Sequence, residues 1–184
     1  MLLISIFTGI LIGIAGLAYL FTTPAILGSL LFSFGLSIIL VQNLYLYTGK
    51  IGKFKNKKDI PMMATILIGN FIGAYGFGII LFLFGFSYLA IPIVITKTSI
   101  PILLSFFYSI CCGIILELAV SSYKETNNIL LVILCVMVFI TCGFEHSIAN
   151  MFFFALSGQP HFGYLAVNIL GNSLGAIGTH KFVK

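Results

Sequence analysis

The 184-residue sequence is 60% hydrophobic, only 7% charged, and carries a formal net charge of +5. A soluble domain carries about 25% charged residues, so this composition excludes a water-exposed globular surface and makes the bilayer the solvent. The length fits one domain, leaves no room for a separate soluble unit and argues against an enzyme with a large aqueous active site. The positive charge does not point to nucleic acid either, because five of the nine basic residues fall in one short loop, Lys50 to Lys58.

A membrane helix needs about 20 mostly apolar residues, and six stretches qualify: 4–21, 26–47, 61–87, 100–122, 128–155 and 162–181. The first follows MLLISIFTG, with no basic start and no small-residue cleavage site, so it is expected to be a membrane helix, not a removed signal peptide. The second ends in VQNLYLYTGKIG, residues 41–52. There Gln42, Asn43 and Thr48 interrupt the apolar run, and Gly49 permits unusual backbone angles. The third carries GNFIGAYG, residues 69–76, and the fourth carries Glu117 within IILELAV. A lone charge in lipid is costly, so Glu117 is expected to face protein or to be protonated. A structural role and a place on a solute path fit it equally. The fifth contains TCGFEHSIANMFFF, residues 141–154, where Thr141, Gly143, Glu145, His146, Ser147 and Asn150 are polar or flexible. The sixth carries GNSLGAIG, residues 171–178. His161 and His180 fall near helix ends and are expected at the surface. Cys111, Cys112, Cys135 and Cys142 lie in apolar runs without metal-ligand spacing, which predicts small buried hydrophobes. No metal site or cofactor is expected.

Lysine asymmetry sets the orientation. With six spans, the Lys50–Lys58 loop, Lys124, and the C-terminal Lys181 and Lys184 share a side with the N-terminus, and Lys97 stands alone on the other. Both termini are therefore expected in the cytoplasm.

The two glycine motifs are identical at five of eight positions and lie 102 residues apart. An offset spanning three helices requires halves of opposite orientation, an inverted repeat of about 1–88 and about 97–184 within a single membrane domain, 1–184. The small residues would let helices approach closely. The same offset pairs Asn43 with Glu145 and Thr48 with Asn150, which puts helix breaks at equivalent places in helices 2 and 5. Irregular backbone at membrane depth is tolerated only when buried in protein or lining a cavity, and an ionisable group there costs roughly 2.5–3.5 kcal/mol. Glu145 could simply satisfy backbone freed by the break. His146 reads better as functional, because imidazole exchanges protons near neutral pH.

At these residues the chain resembles the formate/nitrite transporter family, whose members are pentameric small-anion channels. GFEHSIANMFF (143–153) is similar to that family's helix-5 signature, LYTGK (46–50) to its LFTGN motif, VNILGNSLGAIG to its last helix, and FSFGL (32–36) also fits. The resemblance implies an aquaporin-like protomer of six helices in two inverted three-helix repeats, with helices 2 and 5 interrupted, in a homopentamer. It implies a central pore histidine at His146, faced by Thr48 and supported by Asn172. It implies constrictions at Phe32, Leu36, Leu46 and Phe139, and a vestibule lysine at Lys97. The chain departs from the family pattern at Tyr45, where Glu is usual; at Lys50, where Asn is usual; and in CGIILELAV, where Gly113 replaces Asn and Glu117 replaces Cys.

The function this predicts is a plasma-membrane channel or transporter for a small monovalent weak-acid anion of the formate, nitrite or hydrosulfide class, with protons as a partner through His146. The alternative is a pore of the same fold for a neutral or cationic solute that uses Glu117. A non-transporting membrane protein is disfavoured by the paired breaks. An intramembrane enzyme is disfavoured by the lack of a nucleophile or metal set near Glu145 and His146.

Overall fold

The computed structural model describes residues 1–183; Lys184, counted above with the C-terminal lysines, lies outside the described residues. Among the described residues the regular structure is entirely helical. The chain runs through α1 (Leu2–Leu20), α2 (Ala25–Val41), α3 (Tyr47–Lys50), two short 3-10 turns (Ile51–Lys53 and Lys57–Asp59) and α4 (Ile60–Leu83). It continues with α5 (Ser87–Ser99), α6 (Ile102–Thr126), α7 (Ile129–Thr141), α8 (Ser147–Ser157) and α9 (Phe162–His180). Three helical stretches, Leu2–Leu20, Lys57–Leu83 and Ile102–Thr126, are long and apolar enough to cross a membrane. Large apolar side chains such as Leu3, Leu83, Phe84 and Leu103 point outward, the surface of a chain whose solvent is hydrocarbon.

Two helix pairs are built on one pattern. α1 packs along α4, and α6 packs along α9. A Cβ on Gly73 would overlap the Ile6 carbonyl, and a Cβ on Gly175 would overlap the Ile110 carbonyl. Only glycine allows backbones that near. The two GNxxGAxG motifs thus make the same contact in two places.

Two features differ from expectation. The third apolar stretch stops at Leu83 rather than at 87, because Gly85 takes a left-handed φ of 86° and ends the helix. The segment after it, expected as a connection, is the thirteen-residue helix α5. It is too short to span a bilayer, and Pro92 inside it removes one backbone donor, so hydropathy did not mark it. α5 packs against α8 and carries Lys97.

Four cysteines are free, and only Cys112 is buried; Cys111 and Cys135 are half-buried and Cys142 is exposed. Cys142 caps the C-terminus of α7.

Candidate anion-conduction site

Backbone satisfaction builds the site. At the end of α2, Asn43 takes a φ of 51°, and the amides of Asn43 and Leu44 donate to Leu40 O and Ile39 O. At the end of α7, Gly143 takes a φ of 69°, and the amides of Gly143 and Phe144 donate to Ile140 O and Phe139 O. Both are Schellman caps, which need a residue tolerant of the left-handed region; glycine and asparagine are the two residues that fill it most often. Each chain then runs extended, through Leu46 and through His146, into a new helix.

A buried asparagine clamps each extended stretch. The Tyr47 amide donates to Asn70 Oδ1 at 2.7 Å, and Asn70 Nδ2 donates to the carbonyls of Tyr45 and Ser5 at 2.9 and 2.8 Å. The Ser147 amide donates to Asn172 Oδ1 at 2.9 Å, and Asn172 Nδ2 donates to the carbonyls of Glu145 and Ser109, both at 2.8 Å. An unpaired peptide group this deep would cost several kcal/mol, so the asparagines make non-helical backbone tolerable here. Asn172 was expected as support for the polar centre; Asn70 was not singled out, although it holds the same place in the first glycine motif.

The breaks correspond at an offset of 100 residues, Asn43 to Gly143 and Tyr47 to Ser147, whereas the glycine motifs correspond at 102. The pairing of Asn43 with Glu145 and of Thr48 with Asn150 is therefore corrected. Tyr45 answers Glu145, Leu46 answers His146, and Thr48 answers Ile148. The chain between break and motif is two residues longer in the second half, so one offset cannot serve both.

Side chains then bring the two breaks together. Thr48 Oγ1 lies 2.9 Å from His146 Nε2, both buried. The Ala149 amide donates to His146 Nδ1 at 3.2 Å, so in the neutral ring the proton sits on Nε2 and is donated to Thr48. The Thr48 hydroxyl proton is then available to a third group. Glu145 does not satisfy freed backbone through its side chain. Its Oε2 accepts from Lys97 Nζ at 2.7 Å and from Asn150 Nδ2 at 2.6 Å. Asn150 Nδ2 also donates to Asn168 Oδ1 at 2.7 Å, and Asn168 Nδ2 reaches Ser105 and Ser109, both at 2.9 Å. Asn168 lies within VNILGNSLGAIG, but sequence reading gave it no role because its partners meet it only when α9 is folded onto α6.

Two cavities flank this centre. One of about 240 Å³ is lined by Phe32, Lys97, Phe139, Glu145, His146 and Asn150, among others. Phe32 and Phe139 meet edge to face at 6.1 Å, and the Phe139 ring is 5.8 Å from the His146 ring. The other, about 220 Å³, is lined by Leu36, Leu46, Lys50 and Lys124, among others. The four apolar residues singled out as constrictions thus divide two and two. Thr48 and Asn172 line neither cavity, and Glu117 lines neither. The Glu117 carboxylate is buried against Gly52, accepts from Ser121 Oγ at 2.8 Å and pairs with His180 Nδ1 at 2.6 Å. His180 is therefore not a surface residue, because it supplies the partner that a buried acid requires. His161 also packs inward, its ring edge-on to Phe154 at 5.2 Å. The described residues hold no cluster able to bind a metal ion.

A sequence model of the formate/nitrite transporter family matches residues 1–180. The chain belongs to the formate/nitrite transporter family. With its apolar helices, that makes it an integral membrane protein. Two similar curated relatives are the nitrite transporters NirC of Salmonella typhimurium, 26% identical over 75% of this chain, and of Escherichia coli, 26% identical over 73%. The chain covers 58% and 56% of their lengths, so it spans somewhat over half of each. Among solved structures, this family member is similar to a pentameric formate channel with formate bound, with a TM-score of 0.79 and 24% identity, covering 98% of this chain and 92% of that one. It is also similar to an ion channel of the same family, with a TM-score of 0.75 and 21% identity, covering 97% and 83%. Both likenesses establish a shared fold.

Proposed function

We propose that the chain is the protomer of a homopentameric plasma-membrane channel for a small monovalent weak-acid anion, with both termini in the cytoplasm. Its six spans are α1, α2 with α3, α4, α6, α7 with α8, and α9, arranged as two inverted three-helix repeats. Family membership and the likeness to a pentameric formate channel support this. The single observation that carries it is the buried Thr48–His146 hydrogen bond, which joins two helix breaks between two cavities.

An anion leaving water for this path must pass Phe32 and Phe139, then Leu36 and Leu46, all almost fully buried. A bare charge there is expensive. His146 and Thr48 offset that cost by donating to the anion, or by passing it a proton so that it crosses as a neutral acid. Lys97, beside Glu145, draws the anion to the outer cavity. Formate, nitrite and hydrosulfide all fit this chemistry. A neutral-solute or cation pore would put Glu117 on the path; its carboxylate is instead taken up by His180 and Ser121, which argues against that reading.

The test is flux into proteoliposomes for a panel of weak acids across pH. Flux is expected to depend on anion identity and to rise as pH falls, since acidification supplies the proton. His146→Asn is expected to cut it on the order of 100-fold, the factor matching an uncompensated charge cost of about 2.5–3.5 kcal/mol. Unchanged flux and pH dependence in that variant would sink the central-histidine mechanism.

A further inference from the structure

The conduction path uses only the apolar wall of the second cavity at Leu36 and Leu46, which Ile39, Leu40 and Leu44 extend, yet the cavity also has a polar and cationic side. Asn43, Lys50, Tyr123, Lys124 and Asn127 line it. Its volume of about 220 Å³ holds a small anion with several waters, each occupying about 30 Å³ of liquid. Lys50 Nζ donates to Asn43 Oδ1 at 2.9 Å and stands 5.4 Å from the Tyr45 ring centroid. An ammonium has three donors, so two remain for a ligand. The charged groups near Lys124 are two further lysines, Lys53 and Lys50, and one acid, Glu117. Glu117 is already engaged by His180 and Ser121. The ion pairs among the described residues are Lys97–Glu145 and His180–Glu117, so no carboxylate there pairs with Lys50 or Lys124.

The first cavity is different. Its one lysine, Lys97, is bonded to Glu145 at 2.7 Å, which weakens its pull on an anion. Like charges around a low-dielectric concavity focus the field and concentrate counter-ions there. A lysine ammonium is a compact point charge that binds anions of any shape.

We infer that Lys50 and Lys124 form a loading site for a small monovalent anion in the second cavity, on the far side of Leu36 and Leu46 from His146. The ligand class rests on the anion-channel reading; the geometry does not. The site makes the two mouths unequal. Anions are held at the Lys50 mouth by uncompensated charge, whereas at the Lys97 mouth they compete with Glu145.

The test uses the full chain in detergent and carbon-13 formate, with broadening of the formate resonance as a binding readout independent of transport. Lys50→Gln/Lys124→Gln is compared with Lys57→Gln, a charge control in the exposed 3-10 turn outside the cavity. The double variant is expected to lose most of the broadening at low salt, while Lys57→Gln keeps it. In liposomes, half-saturation for formate entering from the Lys50 side is expected to rise about tenfold in the double variant. Unchanged broadening in a double variant that elutes like the parent overturns the site, as does a parent chain that never broadens formate. Broadening that depends on these lysines in a parent chain without flux keeps the site and removes the channel reading. If the double variant fails to fold, Lys50→Asn alone is expected to lose part of the broadening, and unchanged broadening there is equally fatal.

Discussion

The two helix breaks share a backbone and differ in chemistry. Each has a left-handed cap, an extended stretch and an asparagine from a later helix bonded to the same two backbone positions. At equivalent places, however, one carries Tyr45, Leu46 and Thr48, and the other carries Glu145, His146 and Ile148. The same backbone arrangement therefore occurs twice, while the polar side chains differ between the two places. The Thr48–His146 hydrogen bond therefore takes one partner from each break.

The largest test of that comparison strikes the shared scaffold. Asn70→Leu and Asn172→Leu each strand an amide and a carbonyl, at about 1–3 kcal/mol per group. Both are expected to abolish a monodisperse peak in size-exclusion chromatography. If only one did so, the breaks would not be equivalent.

The next test separates the chemistry. Thr48→Val removes the hydroxyl but keeps the shape, and flux in proteoliposomes is expected to fall roughly 3–10-fold, the worth of one hydrogen bond of about 0.5–1.5 kcal/mol. Ile148→Val, at the equivalent place in the other break, is expected to change flux by less than about twofold, since its side chain is apolar packing.

A smaller effect probes the caps. Gly143→Val forces a β-branched residue to a φ of 69° and is expected to cost about 1–2 kcal/mol, read as a lower thermal midpoint. Gly143→Asn is expected to be close to neutral, because Asn43 already fills the matching place. The smallest expected change in flux comes from Glu117→Gln, within about twofold, since the carboxylate is already engaged by His180 and Ser121. Large loss of flux there would revive the path through Glu117.

Legibility followed the range of the interaction. All-helical structure and family were readable from apolar run length and from motifs such as GFEHSIANMFF, since both are local in the chain. The helix α5 was not, because thirteen residues with an internal proline look like a connection until α8 is there to pack against. The offset between the halves was read from the glycine motifs alone and was two residues wrong at the breaks, because only hydrogen bonds show which peptide answers which. His180 looked like a surface residue until α9 lay beside α6 and met Glu117.

By itself, the sequence determined the solvent, the helical class and the family, since hydrophobic run length and residue order carry that information. Only the tertiary structure decided that Lys97 belongs to Glu145, that His146 belongs to Thr48, and that Glu117 belongs to His180. Those pairs join residues 48, 98 and 63 positions apart. A buried polar group takes whichever partner the packed helices bring within hydrogen-bonding reach, and that choice is made in space.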